Sequence, residues 1–144
     1  MKANELMIGD WVFVNDVEHL RPMQVGEIKR KSGKHYACLY DPNDVSEHCE
    51  CVVDKVEGIK ITRKSLTKNR FISRRCSSGN IFRHVIDNRL LEVLIFADGH
   101  IQLNIFSTSS SKDKMLPVLG LTLDYVHELQ HLCTMCNIKI DWKA

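Results

Sequence analysis

A chain of 144 residues with 44% hydrophobic and 26% charged residues has an ordinary globular composition and room for one domain or two very small ones. No apolar run approaches the roughly 20 residues that cross a bilayer, and the segment from Met1 to Asp10 has no apolar signal core, so no membrane partner and a cytoplasmic location are expected. The formal net charge of +2 is too small to point to a partner by itself; its layout along the chain says more.

The first sixty residues read as short strands. From Asp10 to Asn15, Trp11 and Phe13 alternate with Val12 and Val14, so both faces are apolar and the strand is expected to be covered on both sides. Further strands fit Met23 to Lys29, His35 to Tyr40, Cys49 to Val53 and Gly58 to Ile61, with a turn at Asp41-Pro42-Asn43-Asp44. Five short strands at this spacing predict a small SH3-like β-barrel. Thr62 then reads as the N-cap of a short helix through about Asn69, and Ser73 to Asn80 reads as a loop. Ile81 to Ile86 and Leu90 to Ala97 read as strands joined at Asp87-Asn88-Arg89. Asp98-Gly99 suits a type I′ hairpin leading into the alternating strand His100 to Phe106. A polar loop is expected from Ser107 to Lys114, and a long helix from a cap near Thr122 to about Cys136, with Asn137 as its stop. The predicted class is α+β: a small barrel over 1–61, then an α-β-β-β-α unit over 62–144 with a three-stranded antiparallel meander. The two parts could equally form one compact unit.

His127-Glu128-Leu129-Gln130-His131 spells the H-E-x-x-H signature. Two His four residues apart on a helix can share one zinc, and the Glu between them can act as general base on its bound water. A catalytic zinc needs a third protein ligand. The long-spaced form of the motif would place Gly and His where Thr134 and Asn137 stand, and no Glu follows Glu128. With Val126 at zero and about 100° per residue, Leu129, Cys133 and Cys136 form one apolar stripe. His127 and His131 fall on the opposite side, and are expected to face water or at most a second surface. A zinc hydrolase using His127, His131 and Glu128 is thus the remote alternative; no catalytic residue, metal or cofactor is assigned. The six Cys are expected to stay reduced. Cys133-x-x-Cys136 lies at the end of its helix, not at the N-terminus where a thiolate is stabilised. A four-Cys zinc site from Cys49, Cys51, Cys133 and Cys136 is conceivable, with buried structural thiols the simpler reading.

The opening Met1 to Val12, the Ile59-Lys60-Ile61-Thr62 approach to the middle helix with Asn69-Arg70-Phe71 at its end, and Tyr125 to His131 resemble a family of small uncharacterised proteins. That family is abundant in gut Bacteroidales genomes and their phages or mobile elements. The resemblance implies no particular activity. In the family's pattern Gln often stands at the place of Glu128 and Asn at that of His131, which implies no zinc chemistry there.

Charge is the remaining signal. Between Lys55 and Arg89 stand ten basic residues and two acids, a net of +8, and the rest of the chain carries −6. A smaller cluster, Lys29-Arg30-Lys31 and Lys34, falls at an expected turn. Such asymmetry is the footprint of a nucleic-acid binder, with Arg63, Lys64, Lys68, Arg70, Arg74 and Arg75 as the candidate phosphate contacts. No phosphate loop, dinucleotide fingerprint or nucleophile elbow occurs. The expected function is a non-enzymatic binding module that touches nucleic-acid backbone without sequence reading. The alternatives are a protein–protein adaptor of phage or mobile-element origin, and a solvated charged face that contacts nothing.

Overall fold

The computed structural model describes residues 1–15, 21–107 and 121–143. They divide into two compact units: Met1–Lys60 with Tyr125–His127, and Ile61–Asp124 with Glu128–Lys143.

The first unit is one antiparallel sheet of β1 (Trp11–Val14), β2 (Met23–Lys31), β3 (Lys34–Asp41), β4 (Asp44–Val52) and β5 (Val56–Gly58), in the order β4-β3-β2-β1-β5. The β2–β3 hairpin turns through Ser32 and Gly33, both at positive φ (49° and 78°), the backbone of a type I′ turn that matches strand twist. Asp41 caps the next turn by accepting from the Asn43 N–H at 2.8 Å, a side-chain imitation of a backbone turn. Val12, Val14, Met23, Val25, Ala37 and Leu39 form the core with Leu6, Val53 and Val56. Trp11 is buried and Phe13 half-buried on the other side of β1, so β1 is covered on both faces. The SH3-like barrel is corrected: β4 and β5 are the two edges of an open sheet. Five short strands with regular turns fit an open sheet as well as a barrel, and closure depends on tilt and stagger that spacing does not encode.

The second unit holds α1 (Arg63–Lys68), β6 (Ile72–Cys76), β7 (Gly79–Ile86), β8 (Arg89–Phe96), β9 (Ile101–Ser107), β10 (Leu121–Thr122) and most of α2 (Val126–Met135). Its sheet runs β10-β9-β8-β7-β6, all antiparallel. The three-stranded meander is therefore corrected to five strands. The expected loop at Ser73 to Asn80 is β6, a turn and the start of β7. Ile72 to Arg75 are all exposed, so this edge strand lacks the buried face that writes an apolar alternation into sequence. Thr122 belongs to β10 and does not cap the helix. Among the described residues strand reaches 52% and helix 18%, so the chain is mostly β, not the α+β class expected. The polar loop expected from Ser107 to Lys114 lies, after Ser107, outside the described residues.

Local chemistry fixes the joints of this unit. Thr62 Oγ1 accepts from the Ser65 N–H at 3.1 Å, and Ser65 Oγ accepts from the Thr62 N–H at 2.9 Å, a capping box on α1. Asp87 and Asn88 take φ of 45° and 62° between the paired Ile86 and Arg89, a two-residue type I′ turn. At Asp98-Gly99 the turn differs from expectation. The Gly99 N–H bonds Phe96 O at 3.1 Å and the Phe96 N–H bonds His100 O at 2.9 Å, with Gly99 at φ 89°, which is the three-residue loop with a glycine bulge. Asn137, at φ 55°, ends α2 as read, and the Ile138 N–H bonds Cys133 O at 2.7 Å, a Schellman-type close. Phe82, Val93 and Leu103 stand opposite one another across β7, β8 and β9 and are almost fully buried. On the other face Arg83 grips Glu92 at 2.7 Å, Asn104 donates to Glu92 at 3.3 Å, and Gln102 donates to Asn104 at 3.0 Å. That polar row compensates the charge of a carboxylate only 8% exposed. No helix among the described residues is long and apolar enough to cross a membrane.

Candidate nucleic-acid interface

The H-E-x-x-H residues are occupied with structure. His127 is 5% exposed and stacks on Tyr125, with ring centroids 5.6 Å apart and 22° between planes. Of the two expected settings, water or a second surface, His127 takes the second: it is buried, and His131 is half-buried. A single-stripe reading assumes that only one side of the helix is covered, whereas Tyr125 and His127 pack over Gly58 within the first unit. A Cβ at Gly58 would sit 2.6 Å from Tyr125 Cδ1 and 3.0 Å from His127 Cε1. Glu128, which a hydrolase would use as base, accepts from the Asp124 N–H at 2.7 Å. It thereby serves the exposed donors and positive end of the helix N-terminus. Among the described residues no group of three or more His, Cys, Asp or Glu is gathered to hold a metal ion.

The thiols follow their surroundings. Cys49 and Cys51 lie against the first unit's core, with Cys49 Sγ 3.8 Å from Met23 Sδ. Cys133 is buried, and burial, aided by the neighbouring Cys136 sulfur, pushes its thiol up to about 12. At the β6–β7 turn, hydrogen bonding to the Ser78 side chain holds the Cys76 thiol below its ordinary value.

The six basic candidates all belong to the second unit, and the fold sorts them. Arg63 and Lys64 lie exposed in the first turn of α1. Arg74 and Arg75 are adjacent on β6 and project to opposite faces of the sheet. Arg74 pairs with Ile81, on the face of Arg83; Arg75 pairs with Asn80, on the face of His84 and Ile86. The sequence run therefore does not form one surface. Lys68 and Arg70, at the end of α1, do converge with other cations. They line a pocket of about 210 Å³ together with His84 from β7 and with Lys139 and Lys143 from the segment after α2. Asp141 is the one acid in that lining.

Asn69 builds this pocket. It is 7% exposed, and its amide spans two chain segments 74 residues apart. Its Nδ2 donates to Lys143 O at 2.9 Å and to Ser65 O at 2.8 Å, and its Oδ1 accepts from the Lys143 N–H at 2.6 Å. Phe71 packs at a tilt against both His84 and Trp142, at 5.2 Å and 6.3 Å between centroids, and Trp142 and Ile138 are buried. The terminal segment is thus anchored by alternate apolar side chains while Lys139, Asp141 and Lys143 stay exposed. The charge count between Lys55 and Arg89 missed Lys139, Lys143 and His84. A signal for the two lysines was present, since Ile138-Lys139-Ile140-Asp141-Trp142-Lys143 alternates apolar and charged residues with period two. Several cations outside the pocket have local duties: Arg83 holds Glu92, Lys60 lies 4.5 Å over the Tyr125 ring, and Lys31 and Lys29 reach Glu50. Lys31 in turn holds the Glu50 carboxyl below its ordinary range. No protein-family model, no curated protein and no solved structure matches this chain.

Proposed function

We propose that this protein is a non-enzymatic binding module whose second unit contacts the sugar–phosphate backbone of nucleic acid. The observation that carries the reading is the convergence of Lys68, Arg70, Lys139 and Lys143 with His84 on one pocket that has a single acid in its lining. Lysine and arginine hold phosphate by charge-assisted hydrogen bonds, and such contacts to backbone position a strand without reading its sequence. Arg75 shares the sheet face of His84, on the far side of the buried Phe82, and Lys64 stands one helical turn before Lys68 on α1.

The test is fluorescence anisotropy with labelled single- and double-stranded DNA and RNA across a salt series. Binding that weakens steeply with salt is expected. Because Arg74 and Arg75 face opposite ways, Arg75→Ala is expected to weaken binding more than Arg74→Ala. No binding at low salt sinks the reading. Equal effects of the two arginines would place the strand on the β6 edge itself. The adaptor reading draws on a different observation. Ile72 and Val85, 71% and 63% exposed, share the outer face of the sheet with Arg74. In that case Ile72→Asp would abolish capture of a protein partner and leave nucleic-acid binding unchanged.

A further inference from the structure

The pocket between the end of α1, β7 and the terminal segment has a chemistry narrower than general backbone attraction. We infer that it takes a phosphate monoester, the terminal phosphate of a nucleic-acid strand; the strand end as its source rests on the function proposed above. Arg70, Lys139 and Lys143 set three cations around the cavity beside Lys68, with Asp141 as the one acid in its lining. A monoester carries close to two negative charges at neutral pH and an internal diester one, so this surplus favours the monoester. A cavity of about 210 Å³ has room for one phosphate and part of its sugar, whereas a continuous strand runs along a groove.

The pocket's own backbone is prepared for an anion. The Leu66 and Thr67 carbonyls at the end of α1, which would repel one, are already engaged. Leu66 O accepts from the N–H groups of Asn69 and Phe71 at 3.1 and 3.0 Å, and Thr67 O accepts from Arg70 at 3.1 Å. His84 Nδ1 lies 3.2 Å from Arg70 O; a carbonyl can only accept, so Nδ1 carries the proton. Arg70 itself stands at φ 65°, where a helix ending of this kind ordinarily carries glycine. An arginine kept there supplies a planar donor fork suited to phosphate.

The experiment uses the full chain and a short, internally labelled single strand with a 5′-phosphate, a 3′-phosphate or hydroxyls at both ends. One phosphorylated form is expected to bind about tenfold tighter than the hydroxyl form. Lys139→Ala/Lys143→Ala should erase that preference, and Arg70→Gly should reduce it without unfolding the chain. Arg75→Ala should weaken all three strands alike. Equal affinity of the three strands overturns the pocket's assignment while leaving the backbone reading intact. If no strand binds, the backbone reading falls and thermal unfolding with a nucleoside monophosphate against its nucleoside decides the pocket. Stabilisation by the monophosphate alone, lost in the lysine pair variant, supports a monoester site filled by free nucleotide. No difference between the two compounds overturns it.

Discussion

Two residues show how position decides chemistry. Arg70 was singled out for its charge, yet its backbone is equally informative. At φ 65° a side chain with a Cβ is held in the left-handed region at a cost of about 1 kcal/mol that glycine does not bear. Arg70→Gly is therefore expected to keep or raise stability, by up to about 1 kcal/mol in urea unfolding, while losing affinity for phosphate. A destabilised variant would mean that the arginine side chain holds the fold. Cys133 gives the pH dependence. Its folded thiol is raised to about 12 from an ordinary 9.0, so its contribution is fully present below pH 9 and is lost as pH rises toward 12, by about 1.4 kcal/mol per unit. The stability gap between the wild type and Cys133→Ala should shrink from pH 8 to pH 10. A constant gap would show that the thiolate is tolerated in place.

At the scale of elements, legibility followed burial. The alternation of Ile101, Leu103 and Ile105 announced β9 because one of its faces is fully covered. The caps at Thr62 and Asn137 were legible because capping uses local side chains and backbone. β6 was not legible, since an exposed edge strand has no inward face, and Ser73-Arg74-Arg75 resembles a loop in composition. Its arginines also have a structural use: charge on an edge strand discourages pairing with another chain. The element is pinned through Gly79 at the start of β7, where a Cβ would lie 2.2 Å from Ile95 O. Gly79→Ala is expected to cost about 2–3 kcal/mol and to raise hydrogen exchange along β6. A neutral substitution would show that β7 can shift away from β8 there.

For the molecule as a whole, the salt dependence of binding measures how many phosphates are held together. Each lost contact should lower the slope of log affinity against log salt by about 0.7 on a single strand. Because all four side chains line one phosphate pocket, Lys68→Ala/Arg70→Ala and Lys139→Ala/Lys143→Ala are each expected to flatten it by about 0.7, although the two pairs lie some seventy residues apart in sequence. A flattening confined to the first pair would leave the terminal segment out of the binding surface.

The sequence by itself determined the caps at Thr62 and Asn137, the turns after Asp41 and Ile86, most strands and the concentration of positive charge between Lys55 and Arg89, because these are local or compositional properties. Only the tertiary structure decided that the first sheet stays open, that β6 and β10 complete the second, and that His127 is buried against Tyr125 beside Gly58. It also decided which cations meet. Asn69 joins the end of α1 to a segment 74 residues later, and a hydrogen bond over that separation leaves no periodicity in the chain to read.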